Sequence, residues 1–266
     1  MKRIVFLILL AFLVTACATA PSGRKQLLLM SGNDMSQMGS ASFDKLKATD
    51  KLSKDTRRLG QAQCVVNALV RVLPAKYAQQ SWEVQLFEDA NPNAFALPGG
   101  KVGVNTGMFA VAKTQDELAA VIGHEIAHVI SQHANERVSQ QMAAGIGIEA
   151  IGAYSGTRTS PENTKALMSA LGLGAQLGVL LPYSRVHESE ADVLGQQLMA
   201  RAGFDPAAAV ALWQHMQAAD QGGRPPQLLS THPDPRNRIQ DLAGRAPALQ
   251  ADYRAARAAG RVPKCF

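Results

Sequence analysis

Residues 124–128 read His-Glu-Ile-Ala-His. On a helix, residues four apart lie one above the other, so the imidazoles of His124 and His128 can reach a single cation. Glu125 lies about 100° around the same helix, near enough to take a proton from a water that the cation activates. Two imidazoles suit zinc. Zinc lowers the pKa of water and lets a neighbouring carboxylate act as general base in attack on a carbonyl. The surrounding positions Val121, Ile122, Ala127, Val129 and Ile130 are apolar. Three ionisable side chains among them carry a desolvation cost that a function must offset. The spacing points to metal-assisted hydrolysis with Glu125 as its catalytic base.

A catalytic zinc needs a third protein ligand and one open position. The candidates lie in residues 183–192, Tyr-Ser-Arg-Val-His-Glu-Ser-Glu-Ala-Asp. Glu188 and Asp192 are spaced i,i+4 and share a helix face, whereas Glu190 falls about 200° from Glu188. Glu188 is therefore expected as the third metal ligand. Asp192 is expected behind the ligands, accepting a ring N–H of His124 and so fixing its tautomer. His187 and Glu190 are expected as solvated surface residues and receive no role.

These residues need elements to hold them. Thr114 to Glu117 forms a capping box that opens a helix through His128 and Val129. Glu188 to Ala202 reads as a second helix, closed by Gly203. Asp34 to about Leu73 is mostly helical by pattern, with Pro74 as a stop. Trp82 to Phe87 alternates apolar and polar residues as a strand does. Ala94 to Leu97 and Val102 to Asn105 flank Pro98-Gly99-Gly100, which predicts a hairpin. Asp205-Pro206 and Asp234-Pro235 each look like the start of a helix, with Asp as cap and Pro at the first turn. Two Gly/Ala-rich apolar stretches, 142–154 and 166–181, are short for membrane spans and read as buried helices or a flexible lid pair, ahead of a transmembrane hairpin. The expected fold class is α+β: a mostly helical body with a small antiparallel sheet bordering the active-site cleft.

The His-Glu-Ile-Ala-His motif, followed by Glu-Ser-Glu-Ala-Asp at 188–192, resembles the HtpX and CAAX prenyl endopeptidase family of gluzincin metallopeptidases (metallopeptidase family forty-eight). Asn93 to Gly100 is similar to the family's segment before the active-site helix. Ser184-Arg185 resembles its lead-in to the third ligand, and Thr231-His232-Pro233 with Arg238-Ile239 its C-terminal element. The likeness runs from about Trp82 to Leu242 and implies a zincin-like fold, one zinc ion and peptide-bond hydrolysis. It implies that Ala94, Phe95 and Ala96 border the cleft, where an exposed strand edge could pair with an extended peptide. His232 then has two roles open to it: donor to a developing oxyanion, or a ligand that holds the enzyme latent. Arg238 is a candidate for binding substrate or for orienting a carboxylate. Neither the transmembrane helices nor the tetratricopeptide domain of larger members is evident, so the chain is similar to the family's short lipoprotein members.

The N-terminus carries an address. Lys2 and Arg3 precede an apolar run from Ile4 to Val14, which suits a signal peptide. Val14-Thr15-Ala16-Cys17 resembles a bacterial lipobox, which implies cleavage before Cys17 and lipidation of Cys17. Ala18 resembles a sorting signal for the outer membrane. Residues 1–16 are thus expected as signal peptide, 17–32 as a lipidated tether, and 33–266 as one metallopeptidase domain on the periplasmic face of the cell envelope. Cys64 and Cys265 remain as a candidate disulfide in an oxidising compartment.

Composition narrows the rest. With 266 residues, 47% hydrophobic and 18% charged, the chain can bury a real core and is not disordered. Its net charge of +6 is scattered, which argues against nucleic acid as a partner. Two function classes stand ahead of a third, a purely structural lipoprotein in which the His-Glu-Ile-Ala-His motif has no role. One is a zinc endopeptidase acting on unfolded or misassembled envelope proteins; the other is a lipoprotein chaperone or assembly factor on the same fold with little cleavage. The sequence leaves the oligomeric state open.

Overall fold

A computed structural model describes residues 17–155, 184–219, 228, 232 and 237–266. The chain opens with a two-stranded antiparallel ribbon, β1 (Cys17–Thr19) and β2 (Lys25–Leu27). Helices α1 (Gly32–Thr49), α2 (Thr56–Val70) and the short α3 (Ala75–Ala78) follow. Strands β3 (Glu83–Phe87), β4 (Ala94–Leu97) and β5 (Lys101–Asn105) form the main sheet. Then come α4 (Met108–Val111), α5 (Gln115–Ile130), α6 (His133–Ser155), α7 (Arg185–Ala202), α8 (Ala208–Ala219) and α9 (Arg238–Ala258).

The helical body with a small sheet agrees with the expected α+β class. The sheet itself is mixed rather than antiparallel. Its order is β3-β5-β4, with β4 antiparallel to β5 and β3 parallel to β5. The chain leaves β3, crosses to the far edge as β4, and the expected hairpin returns β5 between the two, which forces β5 to run with β3. The segment expected as a tether also differs, because residues 17–27 pair as the ribbon and dock on the body. The stretch expected to be mostly helical over 34–73 consists of α1 and α2. Helix α8, expected from Asp205-Pro206, starts at Ala208, with Asp205 Oδ1 accepting from Ala207 N–H at 2.9 Å. The apolar stretch 142–154 lies within α6. The stretch 166–181, the signal segment 1–16 and Asp234-Pro235 lie outside the described residues. Among the described residues, no helix is long and apolar enough to cross a membrane.

Helix α5 is the centre of the body. Thr114 caps it by accepting from Glu117 N–H, and every residue from Glu117 to Ile130 is buried. A helix apolar on all sides must be covered on all sides. Helices α2, α7 and α8 pack around it, and β4 lies across it. The tightest approach is to α7, where Gly123 faces Gly195. A Cβ on Gly195 would lie 3.0 Å from the backbone nitrogen of His124. Two missing side chains thus let the backbones close up and bring Glu188 within reach of the imidazoles on α5.

The C-terminus is also tied in. Gly203 ends α7 at φ 88°, where a Cβ would collide with the carbonyl oxygen of Arg261. Cys64 on α2 and Cys265 are joined by a disulfide with their Cα atoms 5.5 Å apart.

Candidate metal centre

His124, His128, Glu188 and His232 converge, with one ligand atom from each lying within 4.8 Å of all the others. All four are buried. His124 Nε2 lies 3.1 Å from His128 Nε2 and 3.3 Å from Glu188 Oε2. His128 Nε2 is 3.4 Å from Glu188 Oε1. His232 Nδ1 is 3.1 Å from Glu188 Oε1 and 3.3 Å from His124 Nε2. Three imidazole nitrogens and one carboxylate, pointing at a common centre, are a donor set that suits a four-coordinate zinc. Glu125 stands beside them. Its Oε1 is buried, has no hydrogen-bond partner among the described residues, and sits 3.4 Å from His232 Nε2.

The electrostatics also favour a cation. Burial alone would lower His124, but Asp192 and Glu188 outweigh it and raise it to about 10. Burial would raise Glu188, yet the charge of His232 and hydrogen bonds from His124 and His232 hold it far below the usual carboxylate range. Burial pushes His128 well below its ordinary value, so its ring stays neutral and keeps a lone pair. Burial pushes Glu125 up, opposed by His232 and His124. A carboxyl raised toward neutrality is matched to taking a proton and giving it back.

Asp192 lies where helix spacing puts it. His124 Nδ1 donates to Asp192 Oδ1 at 3.0 Å, which fixes the ring with Nε2 turned to the centre. Arg238 lies behind both carboxylates. Its Nη2 donates to Glu188 Oε2 at 2.7 Å and its Nε to Asp192 Oδ2 at 2.8 Å. The guanidinium stacks over Trp213, 4.0 Å from the ring centroid, and the side chain is buried. Arg238 therefore orients the two carboxylates.

Of the strand residues expected at the cleft, Ala94 and Ala96 are buried on the α5 side of β4. Phe95 points the other way, into a cluster with Phe43 and Phe87. Its contribution to a cleft is its backbone. Beside the centre is a cavity of about 290 Å³, lined among others by Met35, Tyr77, Ala96, Pro98, His128 and Val129. Strand β4 pairs only with β5, and its other edge is unpaired among the described residues.

His187 and Glu190 are not the solvated residues that helix geometry suggested: both are buried. Glu190 leaves α7 on the side away from Glu188, but that side is covered by the ribbon and the start of α6. There His133 Nε2 lies 3.1 Å from Glu190 Oε2, and the His133 and His187 rings stack with centroids 4.3 Å apart. His187 Nε2 lies 3.1 Å from Glu136 Oε2, and burial pushes its imidazole down to about 4. Arg24 bridges the two carboxylates, donating to Glu136 at 2.6 and 2.7 Å and to Glu190 at 3.0 Å. His133, Glu136 and Arg24 escaped the sequence reading. The available signal was the crowding of histidines: of six in the chain, three lie within residues 124–133.

Comparison with known proteins agrees with this geometry. The sequence profile described as Peptidase family M48 matches residues 56–246. The mitochondrial metalloendopeptidase OMA1 of Schizosaccharomyces pombe is 38% identical over 177 residues, covering 64% of this chain and 48% of that protein. The beta-barrel assembly-enhancing protease of Escherichia coli (strain K12) is 34% identical over 157 residues, 58% of this chain and 32% of the relative. The mitochondrial metalloendopeptidase OMA1 of Bos taurus is 30% identical over 253 residues, 89% of this chain and 47% of the relative. The matched region thus spans 32% to 48% of the length of these curated relatives.

Proposed function

The chain belongs to Peptidase family M48 and is a metalloendopeptidase, and we propose that its metal is zinc and its substrates are unfolded or misassembled proteins of the bacterial cell envelope. The observation that carries this reading is the convergence of His124, His128, Glu188 and His232 beside the buried Glu125.

Zinc, when bound, supplies Lewis acidity that polarises a peptide carbonyl and acidifies water. The chain does the rest. His124, His128 and Glu188 hold the ion. Glu125 accepts the proton of the attacking water and passes it to the leaving amine. Asp192 and Arg238 keep His124 and Glu188 in place. The unpaired edge of β4 supports recognition of an extended peptide through main-chain hydrogen bonds, which favours unfolded segments over folded ones. His232 completes the four-donor set, and its place there favours the latency role over that of oxyanion donor.

The envelope location rests on the lipobox-like Val14-Thr15-Ala16-Cys17 and on relatives named for enhancing beta-barrel assembly. In this reading Cys17 carries the lipid that anchors the chain to the outer membrane, facing the periplasm. The test is Glu125→Gln in the purified chain with casein as an unfolded substrate. We expect hydrolysis to fall by about 10³-fold or more with zinc stoichiometry unchanged. Undiminished hydrolysis overturns the role of Glu125. Absent hydrolysis in the parent chain, with envelope defects still rescued by Glu125→Gln, favours the chaperone reading.

A further inference from the structure

We propose that His133 is a positioning residue for the metal ligand His128, and that the N-terminal ribbon clamps it through Arg24 and Glu190. The proposal rests on the zinc-centre reading above. His128 turns Nε2 toward the centre and Nδ1 away from it. That Nδ1 lies 2.9 Å from Nδ1 of His133. Two imidazole nitrogens at that distance need one proton between them, and the next contact decides which ring holds it. His133 Nε2 lies 3.1 Å from Glu190 Oε2. A carboxylate only accepts, so His133 carries its proton on Nε2 and its Nδ1 must accept from His128 Nδ1–H. The proton order is then fixed along the whole row, and His128 is left with its Nε2 lone pair facing the metal.

Glu190 is itself held. Arg24 donates to it through Nε at 3.0 Å, Ser22 donates through its hydroxyl, and the other side of the Arg24 guanidinium grips Glu136. Both Ser22 and Arg24 lie in the turn between β1 and β2. The backbone contributes as well. Gln132 has φ 55°, a left-handed conformation that is uncommon for a residue with a side chain. It stands between α5 and α6 and turns the chain so that His133 faces back toward His128. The segment just after Cys17 is thus wired to a metal ligand through Arg24, Glu190 and His133. It does more than connect the anchor to the domain.

The experiment uses the full chain and two readouts besides activity: zinc affinity by competition with a chromogenic chelator, and the visible absorption of the cobalt-loaded protein. His133→Leu fills the site but can neither accept nor donate. We expect zinc affinity to fall by roughly 10- to 100-fold and the cobalt bands to shift. His133→Gln can accept from His128 through its carbonyl and donate to Glu190 through its amide, and should restore affinity to within a few-fold of the parent. Arg24→Gln, at the outer end of the row, should weaken zinc by a smaller factor in the same direction, with the metal-free fold intact by circular dichroism. Parental affinity and parental cobalt bands in His133→Leu overturn the proposal. So does equal loss in His133→Leu and His133→Gln, which would mark a packing role. A parent chain that binds neither zinc nor cobalt overturns the metal-centre reading, and the proposal with it.

Discussion

The two imidazoles on α5 are backed by two different arms. Behind His124 the arm is short: Asp192 accepts directly from the ring, and Arg238 holds Asp192 and Glu188 together. Behind His128 the arm is long: a second imidazole, His133, stands between the ring and Glu190, and Arg24 holds Glu190 and Glu136 together. Both arms end in an arginine that spans two carboxylates. They differ in burial, since the side chain of Arg238 is 1% exposed and that of Arg24 is 27% exposed. The short arm comes from helices of the core, and the long one closes only when the ribbon docks. The same electrical requirement is met once by packing and once by a detachable strap. Removing parts of each should therefore have unequal consequences.

The largest effect is expected from Arg238→Ala. It leaves Glu188 and Asp192 buried without their shared counter-charge, a kind of loss that costs about 3–5 kcal/mol. Denaturant unfolding of the metal-free chain checks it, and a change within 1 kcal/mol would erase the contrast between the arms. Next comes Asp192→Asn, which keeps the shape but weakens the hold on the His124 ring. Zinc affinity should drop roughly 10- to 100-fold with little change in the fold, measured by chelator competition. A much smaller drop than in His133→Leu would show that the long arm dominates.

The smallest effect is a difference in acid sensitivity. Burial would raise Glu136, but Arg24 and His187 outweigh it and hold its carboxyl below the ordinary 4.5. A depressed folded-state pKa contributes stability that is fully present above about pH 4.5 and is lost as the pH falls below it. Arg24→Ala removes part of that depression. Its unfolding midpoint in urea should therefore fall less steeply than the parent's from pH 4.5 downward. Parallel curves would mean that Arg24 does not hold the long arm electrostatically.

How much of this was written locally explains what the sequence yields. Helix spacing alone places His124, Glu125 and His128 together and separates Glu188 and Asp192 from Glu190, because a helix fixes which residues share a face. The capping box at Thr114 and the left-handed stop at Gly203 are equally local. Burial of Glu190 and His187 is not. It depends on Arg24, 166 residues earlier than Glu190, arriving through a ribbon too short to show a strand pattern. The parallel pairing of β3 with β5 escapes for a similar reason: strand order depends on a crossover, and no residue type marks one. Nor does His133 fit the spacing of the helix that carries His128. The left-handed Gln132 resets the phase between them, and glutamine gives no hint of that conformation.

The bond between Cys64 and Cys265 spans 201 residues, so it closes nearly the whole domain into one covalent ring. For a loop of that length, confinement of the unfolded chain is worth about 5 kcal/mol in the chain-entropy account. That is comparable to the whole net stability of many domains. In any compartment that keeps thiols reduced, the same chain must fold without it. Redox environment thus sets the durability of the chain, which is full only where oxidants close the ring.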